Sequence, residues 1–148
     1  MYIYKMSFNL DLEFGNIYEK KLVDIIPNDS YIIKEGYFPY YDVEITKDNI
    51  ITKYEVKADR NTYKTGNIAI EYKCKGIPSG ISKTQADYYA YYIVKPYNIF
   101  ELYIIPTDII KNKINSNEYK RIIFGGDNKN SEMYIFSLEL FEEYKINV

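Results

Sequence analysis

The sequence contains no histidine, no tryptophan and only one cysteine, Cys74. A tetrahedral zinc site, a Ser–His–Asp triad and a Cys–His nucleophile all need residues that this chain does not have. Any chemistry that the chain performs must therefore use carboxylates, lysines, hydroxyls and a hard cation. A lone cysteine also excludes an internal disulfide, so no cysteine pair ties the chain to an oxidising compartment.

Long apolar runs are missing as well. The longest uncharged apolar stretches, such as residues 88–94, are far shorter than the roughly 20 residues of a membrane helix. The first 15 residues lack the apolar stretch and small-residue cleavage site of a signal peptide. With 47% hydrophobic and 27% charged residues, the composition is typical of a globular domain. We expect one domain over residues 1–148, intracellular (cytoplasmic or nucleoid) and without a membrane partner.

The net charge is small, but the charged residues are unevenly distributed along the chain. The net charge of −2 argues against a protein that coats nucleic acid without specificity. Between Lys57 and Lys83 there are six basic residues and two acidic ones, whereas Glu132 to Val148 holds four acidic residues and one basic. This distribution favours a localised anionic partner, and a chance imbalance is the alternative.

The hydrophobic pattern predicts an α/β domain in which a central mixed sheet is flanked by helices. Apolar residues at i, i+3 and i+4 spacing predict a helix over 13–26, with a buried stripe of Phe14, Ile17, Tyr18, Leu22, Ile25 and Ile26. A candidate capping box, Ser82 with Gln85, predicts a second helix over 82–94. A third helix is predicted over 107–114, and strands over 30–34, 67–74, 100–105, 119–124 and 134–138.

Residues 41–57 alternate cleanly on both sides of Asp48–Asn49, which predicts a β-hairpin with a two-residue turn. In that register Asp42 is opposite Glu55, and Lys57 projects from the same face as Glu55. The other face presents an apolar surface to the core, formed by Tyr41, Val43, Ile45, Tyr54 and Val56.

Two carboxylates opposed across a hairpin, with Cβ atoms roughly 4.5–5.5 Å apart, destabilise a sheet unless something compensates their charge. A divalent cation bound by both Asp42 and Glu55 is the most economical compensator. Lys57 would then hold, orient or deprotonate a water molecule that attacks a phosphodiester. The alternative is that these residues form the solvated face of an exposed hairpin.

Asp42 followed by Glu55-Val56-Lys57 on the neighbouring strand resembles the signature of the PD-(D/E)XK nuclease superfamily, an aspartate followed by E-x-K. The likeness covers about the first two-thirds of the chain and implies a restriction-endonuclease-like core. It implies Mg²⁺, with Mn²⁺ as a substitute, bound by Asp42, Glu55 and the Val56 carbonyl, and it places Lys57 at the attacking water. Holliday junction resolvases of this superfamily carry a helix glutamate in the metal site; Glu19 is its counterpart here, or a surface residue.

Two segments are candidates for DNA contact. Gln85 and Tyr89 resemble the Q-x-x-x-Y element of RecB-like members, which helps to hold DNA near the metal; a capping residue and a core tyrosine are the alternative. The other segment, residues 73–83, contains glycines that permit close approach, hydroxyls and lysines. It is either a surface that binds the DNA backbone or an ordinary polar loop. The DNA-binding candidates are Arg60, Lys73, Lys75, Ser79, Ser82, Lys83 and Gln85.

The resemblance implies a Mg²⁺-dependent DNA endonuclease. It implies a homodimer that cuts branched or duplex DNA selectively by structure, in recombination, repair or replication, in a phage, virus or prokaryote. A non-catalytic nucleic-acid-binding or assembly protein on the same fold is one alternative. An RNA endonuclease or an exonuclease is another.

Overall fold

The computed structural model describes the backbone of residues 2–148 and the side chains of residues 13–126 and 128–148. Its helices are α1 (Tyr2–Ile25), α2 (Thr62–Thr65) and α3 (Thr107–Asn115). Its strands are β1 (Ser30–Ile33), β2 (Val43–Lys47), β3 (Ile50–Asp59), β4 (Asn67–Cys74), β5 (Ile77–Pro78), β6 (Tyr88–Val94), β7 (Phe100–Pro106), β8 (Arg121–Gly125), β9 (Ser131–Ser137) and β10 (Lys145–Ile146). Short 3-10 helices span Gly80–Ser82, Pro96–Asn98, Asp127–Lys129 and Leu138–Tyr144.

The strands form two sheets. The central sheet has six strands in the order β1-β2-β3-β6-β7-β10 and is mixed, because β3 and β6 run parallel while the other neighbours are antiparallel. The second sheet is antiparallel, with the order β5-β4-β9-β8. The predicted α/β class with a central mixed sheet is therefore confirmed.

Helix α1 covers one face of the central sheet. It includes the predicted helix over 13–26 but begins at Tyr2 and ends at Ile25, just before Pro27, whose ring disfavours a helical conformation in the preceding residue. Tyr18, Leu22 and Val23 pack on β2, β3 and β6. The buried stripe is narrower than predicted, since Ile17 lies on its flank and is 51% exposed.

The opposite face of the central sheet is covered mainly by the second sheet, which the sequence did not predict. The predicted helix over 82–94 is wrong: Gly80–Ser82 is a 3-10 turn and Tyr88–Val94 is the central strand β6. Nearly every side chain of β6 is buried, and successive side chains pack alternately into the two cores. A strand buried on both faces reads as a continuous apolar run, and periodicity alone does not distinguish it from a buried helix.

The hairpin of β2 and β3 has the predicted register, with Val43 opposite Tyr54 and Glu44 opposite Lys53. Asp48 and Asn49 adopt φ values of 51° and 65°, as a tight hairpin turn requires. Strand β2 begins at Val43, whereas β3 continues to Asp59. The last residues of β3 therefore have no paired partner on the β2 side, which leaves an open edge in the middle of the fold.

The remaining predicted elements are present with small shifts. The predictions over 30–34, 67–74, 100–105 and 107–114 correspond to β1, β4, β7 and α3, and those over 119–124 and 134–138 to β8 and β9. No helix in the described part of the chain combines the length and the apolar character needed to cross a membrane.

A small ion-pair network on the edge of the central sheet gives a testable consequence. The Glu101 carboxylate accepts from Lys95 at 2.6 Å and also from Lys145, which belongs to β10. These two hydrogen bonds lower the pKa of Glu101 below its ordinary value, and the bond from Lys145 has the larger effect. A lowered pKa stabilises the fold above the ordinary value of 4.5, and this contribution disappears as the pH falls through the pKa of the folded state.

We therefore predict that Glu101→Gln lowers the free energy of unfolding at pH 7 by up to about 1 kcal/mol. The difference from wild type should shrink as urea titrations are repeated from pH 5 down to pH 3. Glu118→Gln is the matched control, because it removes one exposed pair with Lys113 at 3.7 Å and should change little. A pH-independent difference for Glu101→Gln would contradict this account.

Candidate functional site

Two carboxyl groups meet at the open edge of β3. The Asp42 N–H donates to the Tyr54 carbonyl at 2.9 Å, one residue out of the hairpin register, in which Tyr54 pairs with Val43. The Val56 N–H donates to Asp42 Oδ2 at 2.8 Å and fixes that carboxyl group. The carboxyl groups of Asp42 and Glu55 lie close enough to shift each other's pKa, and the pKa of Glu55 is raised to about 7. Below that pH, and without a cation, Glu55 therefore retains a proton.

Burial raises the pKa of both carboxyl groups. The Glu55 side chain is only 12% exposed, and this loss of water outweighs the lowering effect of Lys57. The pKa of Asp42 is raised for the same reason, although Lys57 and the Val56 N–H oppose the shift. The cluster therefore resists carrying two negative charges unless further positive charge is supplied.

Lys57 supplies part of that charge. Its Nζ lies 3.6 Å from Glu55 Oε1, and its side chain remains 41% exposed. Loss of solvent around the ammonium group lowers the pKa of Lys57, but nearby carboxylates outweigh this effect and raise the pKa overall; they are Glu55, Asp42 and Glu71. Lys57 is thus an ammonium group that faces several acidic residues.

Glu19 reaches the same cluster from α1. Burial, together with the charges of Asp42 and Glu55, raises the pKa of Glu19 to about 7. This approach is possible because β2 has ended and does not separate α1 from the last part of β3. The expected association of Glu19 with Asp42 and Glu55 is therefore present in the fold.

Glu71 forms the other side of the cluster, from the second sheet. The Ser79 hydroxyl donates to Glu71 Oε2 at 3.0 Å. A Cβ atom on Gly80, which has a φ of +51°, would lie 2.2 Å from the Glu71 carbonyl oxygen, so only glycine fits there. This close contact holds the turn before β6 against β4, and the charge of the Glu71 carboxylate acts on Lys57.

Tyr89 belongs to the site, although the sequence suggested a different position for it. In the parallel pairing of β3 and β6, Tyr89 is the partner of Glu55, so both side chains lie on one face of the sheet. The residue is only 1% exposed. Sequence reasoning placed Tyr89 on a helix; had residues 88–94 been assigned to a strand parallel to β3, this proximity would have followed.

An open cleft leads to the carboxylates. It has a volume of about 910 Å³ and is lined by Glu19, Asp42 and the segment from Ile33 to Tyr37. Lys34 and Glu35 also line this cleft, so its charged side chains are mostly acidic. An anionic ligand would therefore meet repulsion there unless a cation were bound.

The donor atoms suit a hard divalent cation. Carboxylate and carbonyl oxygens are the ligands that Mg²⁺ and Mn²⁺ prefer. In a strand the N–H and C=O of one residue point to the same side, so the Val56 carbonyl faces the open edge, as its N–H does. Among the described side chains, no group of three or more His, Cys, Asp or Glu residues is arranged to hold a metal ion by itself. A cation here would be bound by the two carboxylates, the carbonyl and water.

The candidate DNA-binding residues are dispersed. Lys73, Lys75, Ser82 and Lys83 are exposed around the turns that follow β4. Ser79 instead supports Glu71. Gln85 is exposed in an extended loop, where its N–H donates to the Tyr40 carbonyl at 2.7 Å, so the helical Q-x-x-x-Y arrangement is wrong.

Arg60 lies on the side of the fold where α1 packs. Its guanidinium carbon is 4.1 Å from the centre of the Phe14 ring, at the end of β3. Arg60 and Lys64 both line a second cleft of about 440 Å³, which lies apart from the carboxylates. The structure does not bring Arg60 together with the lysines that follow β4.

Comparisons with protein-family models, with curated proteins and with solved structures find no match to this chain. The geometry of the site and the resemblance of its motif therefore carry the function assigned below.

The raised pKa of Glu55 predicts how the stability of the metal-free protein depends on pH. The pKa of Glu55 rises from an ordinary 4.5 to about 7 in the folded chain, chiefly through burial. Between these values only the folded chain retains the proton, so the wild type loses stability as the pH rises through this range. Glu55→Gln cannot ionise and avoids that loss. In EDTA, its melting temperature should exceed that of wild type at pH 8, and the difference should shrink toward pH 4.5.

A melting-temperature difference between Glu55→Gln and wild type that stays constant between pH 8 and pH 4.5 would contradict the raised pKa of Glu55. Glu44→Gln is a control on the same face of the hairpin, where the carboxylate accepts from the Tyr41 hydroxyl at 2.9 Å.

The contact between Gly80 and Glu71 gives a second prediction. Gly80→Ala should lower the free energy of unfolding by more than about 2 kcal/mol, because a left-handed backbone strain of about 1–2 kcal/mol is joined by a clash with Glu71. Gly76→Ala is the matched control, since its φ is +76° but no atom lies within 4 Å of an added Cβ. Urea titration of the two variants should give clearly different losses. Equal losses would show that the contact is not needed.

Proposed function

We propose that this chain is a metal-dependent DNA endonuclease that hydrolyses phosphodiester bonds. The observation that supports this most directly is the contact between the Asp42 and Glu55 carboxyl groups, with the Lys57 ammonium group 3.6 Å from Glu55. A purely structural hairpin gains nothing from two buried acids in contact, whereas a cation site requires them.

The surrounding topology is compatible with a restriction-endonuclease-like core. The part that would correspond is α1, the meander β1-β2-β3 and the parallel strand β6. In this interpretation the second sheet occupies the position where the sequence led us to expect a helix. Asp42 directly precedes β2 and the Glu55-Val56-Lys57 segment lies in β3, an arrangement that is compatible with the signature of the superfamily.

Mg²⁺ or Mn²⁺ would be bound by Asp42, Glu55, the Val56 carbonyl and water, with the Glu19 carboxyl group nearby. When bound, such a cation neutralises charge on the phosphoryl oxygens and lowers the pKa of water. The cation would also replace the proton that Glu55 retains in the metal-free protein. The acidic cleft, which repels phosphate by itself, would then accept a DNA strand.

Lys57 is assigned to the attacking water. Its ammonium group can donate hydrogen bonds to that water and to a phosphoryl oxygen, which orients the nucleophile and stabilises the charge that develops. In the reaction the water oxygen bonds to phosphorus and the ester bond to one sugar oxygen breaks. One water proton finishes on the departing sugar oxygen and the other in solvent.

DNA outside the cleft would contact the exposed lysines around the turns after β4. Lys73, Lys75 and Lys83 can neutralise phosphates, and Ser82 can donate a hydrogen bond to one. Preference for branched or duplex DNA, a homodimeric state and an intracellular role in recombination, repair or replication follow from the resemblance alone.

The direct test measures cleavage of labelled four-way junction, linear duplex, single-stranded DNA and single-stranded RNA. With Mg²⁺ or Mn²⁺ we expect the wild type to cut DNA, with the junction or duplex preferred, and EDTA to abolish cutting. Lys57→Ala should lower the rate by about 10²–10³-fold, the loss typical when one group that stabilises the transition state is removed.

Lys53→Ala is the matched control, because Lys53 lies on the same face of β3 and its Nζ is 5.0 Å from the centre of the Tyr41 ring, away from the site. It should retain the wild-type rate. Binding without cleavage of any of the four substrates would contradict the enzymatic proposal and favour a non-catalytic nucleic-acid-binding protein. Faster cleavage of RNA than of DNA would assign the same site to an RNA endonuclease.

A further inference from the structure

The Tyr89 hydroxyl is a buried donor beside the acidic cluster. Tyr89 is 1% exposed, and its hydroxyl oxygen has no hydrogen-bond partner among the described residues. It is paired in register with Glu55, so the ring rises from the sheet on the face that carries Glu55 and Lys57. Burial raises the pKa of this hydroxyl well above its ordinary value, and the charges of the surrounding carboxylates raise it further: Glu55, Asp42 and Glu71.

The other tyrosines of β6 show that this arrangement is specific. Tyr91 lies on the same face, where its hydroxyl donates to Asp59 Oδ2 at 2.7 Å and accepts from the Ala69 N–H at 3.2 Å. Tyr92 is also fully buried without a hydrogen-bond partner, but it lies on the opposite face and packs against Tyr18 of α1. Of these buried tyrosines, Tyr89 alone combines an unpartnered hydroxyl with a carboxylate cluster.

A phenol buried without a partner loses its hydrogen bonds to water and gains none from the protein, which is unfavourable. A single phenolic O–H cannot compensate three carboxylates. It can, however, donate to an oxygen atom that lies between those carboxylates. Groups that hydrogen-bond the ligands of a metal ion have this position and commonly set the affinity of the site.

We propose that Tyr89 is a positioning residue of the site, whose hydroxyl donates a hydrogen bond into the coordination shell of a divalent cation bound by Asp42 and Glu55. This inference rests on the proposed function, because it requires the cation site. The core between the central sheet and the second sheet would then contribute to metal binding, since Tyr89 packs in that core.

The test is calorimetric titration of Mn²⁺ into the full chain, with thermal melts in EDTA as a second measurement. Tyr89→Phe removes one oxygen atom and keeps the packing. It should weaken Mn²⁺ binding about tenfold, in line with losses seen when a residue behind the metal ligands is changed. In EDTA its melting temperature should equal or exceed that of the wild type, because an unsatisfied buried hydroxyl has been removed.

Tyr92→Phe is the matched control, with the same chemical change on the same strand but on the face away from the carboxylates. It should leave Mn²⁺ affinity at the wild-type value. Equal affinity for wild type and Tyr89→Phe would overturn the inference, as would an equal loss of affinity in Tyr92→Phe. A lower melting temperature of Tyr89→Phe in EDTA would show that the hydroxyl has a partner within the protein and would also overturn it.

Glu55→Ala separates this inference from the proposed function. If wild type binds Mn²⁺, Glu55→Ala does not and Tyr89→Phe is unchanged, only the role of Tyr89 is wrong. If wild type itself binds no Mn²⁺, the proposed cation site and the role of Tyr89 are both wrong.

Discussion

Electrostatic repulsion between Asp42 and Glu55 is the constraint on which the site depends. Their carboxyl groups are in contact and Glu55 is largely withdrawn from water, so a proton, an ammonium group or a metal ion must balance them. Lys57 provides one positive charge, and below about pH 7 a proton on Glu55 removes one negative charge. A metal ion can replace a proton in this position, which makes the pair a candidate cation site.

The fold produces this contact through the unequal lengths of two strands. Strand β2 begins at Val43, one residue after Asp42, while β3 continues to Asp59. Helix α1 can therefore bring Glu19 to the edge of β3 from one face. The second sheet and β6 bring Glu71 and Tyr89 from the other. The site is thus formed where the two cores of the protein meet, and substitutions that disturb either core should disturb the carboxylates.

Local patterns in the sequence predict the hairpin and its acidic pair, because alternation and the Asp48–Asn49 turn fix the register within a few residues. Glu19 could be predicted only as a candidate, since its approach depends on where β2 ends. The prediction of a helix over 82–94 was wrong because the side chains of Tyr88–Val94 are buried on both faces of the sheet. Their hydrophobic pattern therefore has no period that distinguishes a strand from a helix. That error concealed Tyr89. The electrostatic effect of Glu71 on Lys57 joins elements whose relative placement no local pattern encodes.

The most direct measurement of the central claim is the anomalous diffraction signal of Mn²⁺ in crystals of the full chain. The account predicts one strong peak within about 2.0–2.4 Å of carboxylate oxygens from both Asp42 and Glu55, with the Val56 carbonyl as a further ligand. Absence of a peak between these residues at saturating Mn²⁺, or a peak only elsewhere on the protein, would contradict it. In that case the contact between the carboxyl groups would be a protonated structural pair and not a metal centre.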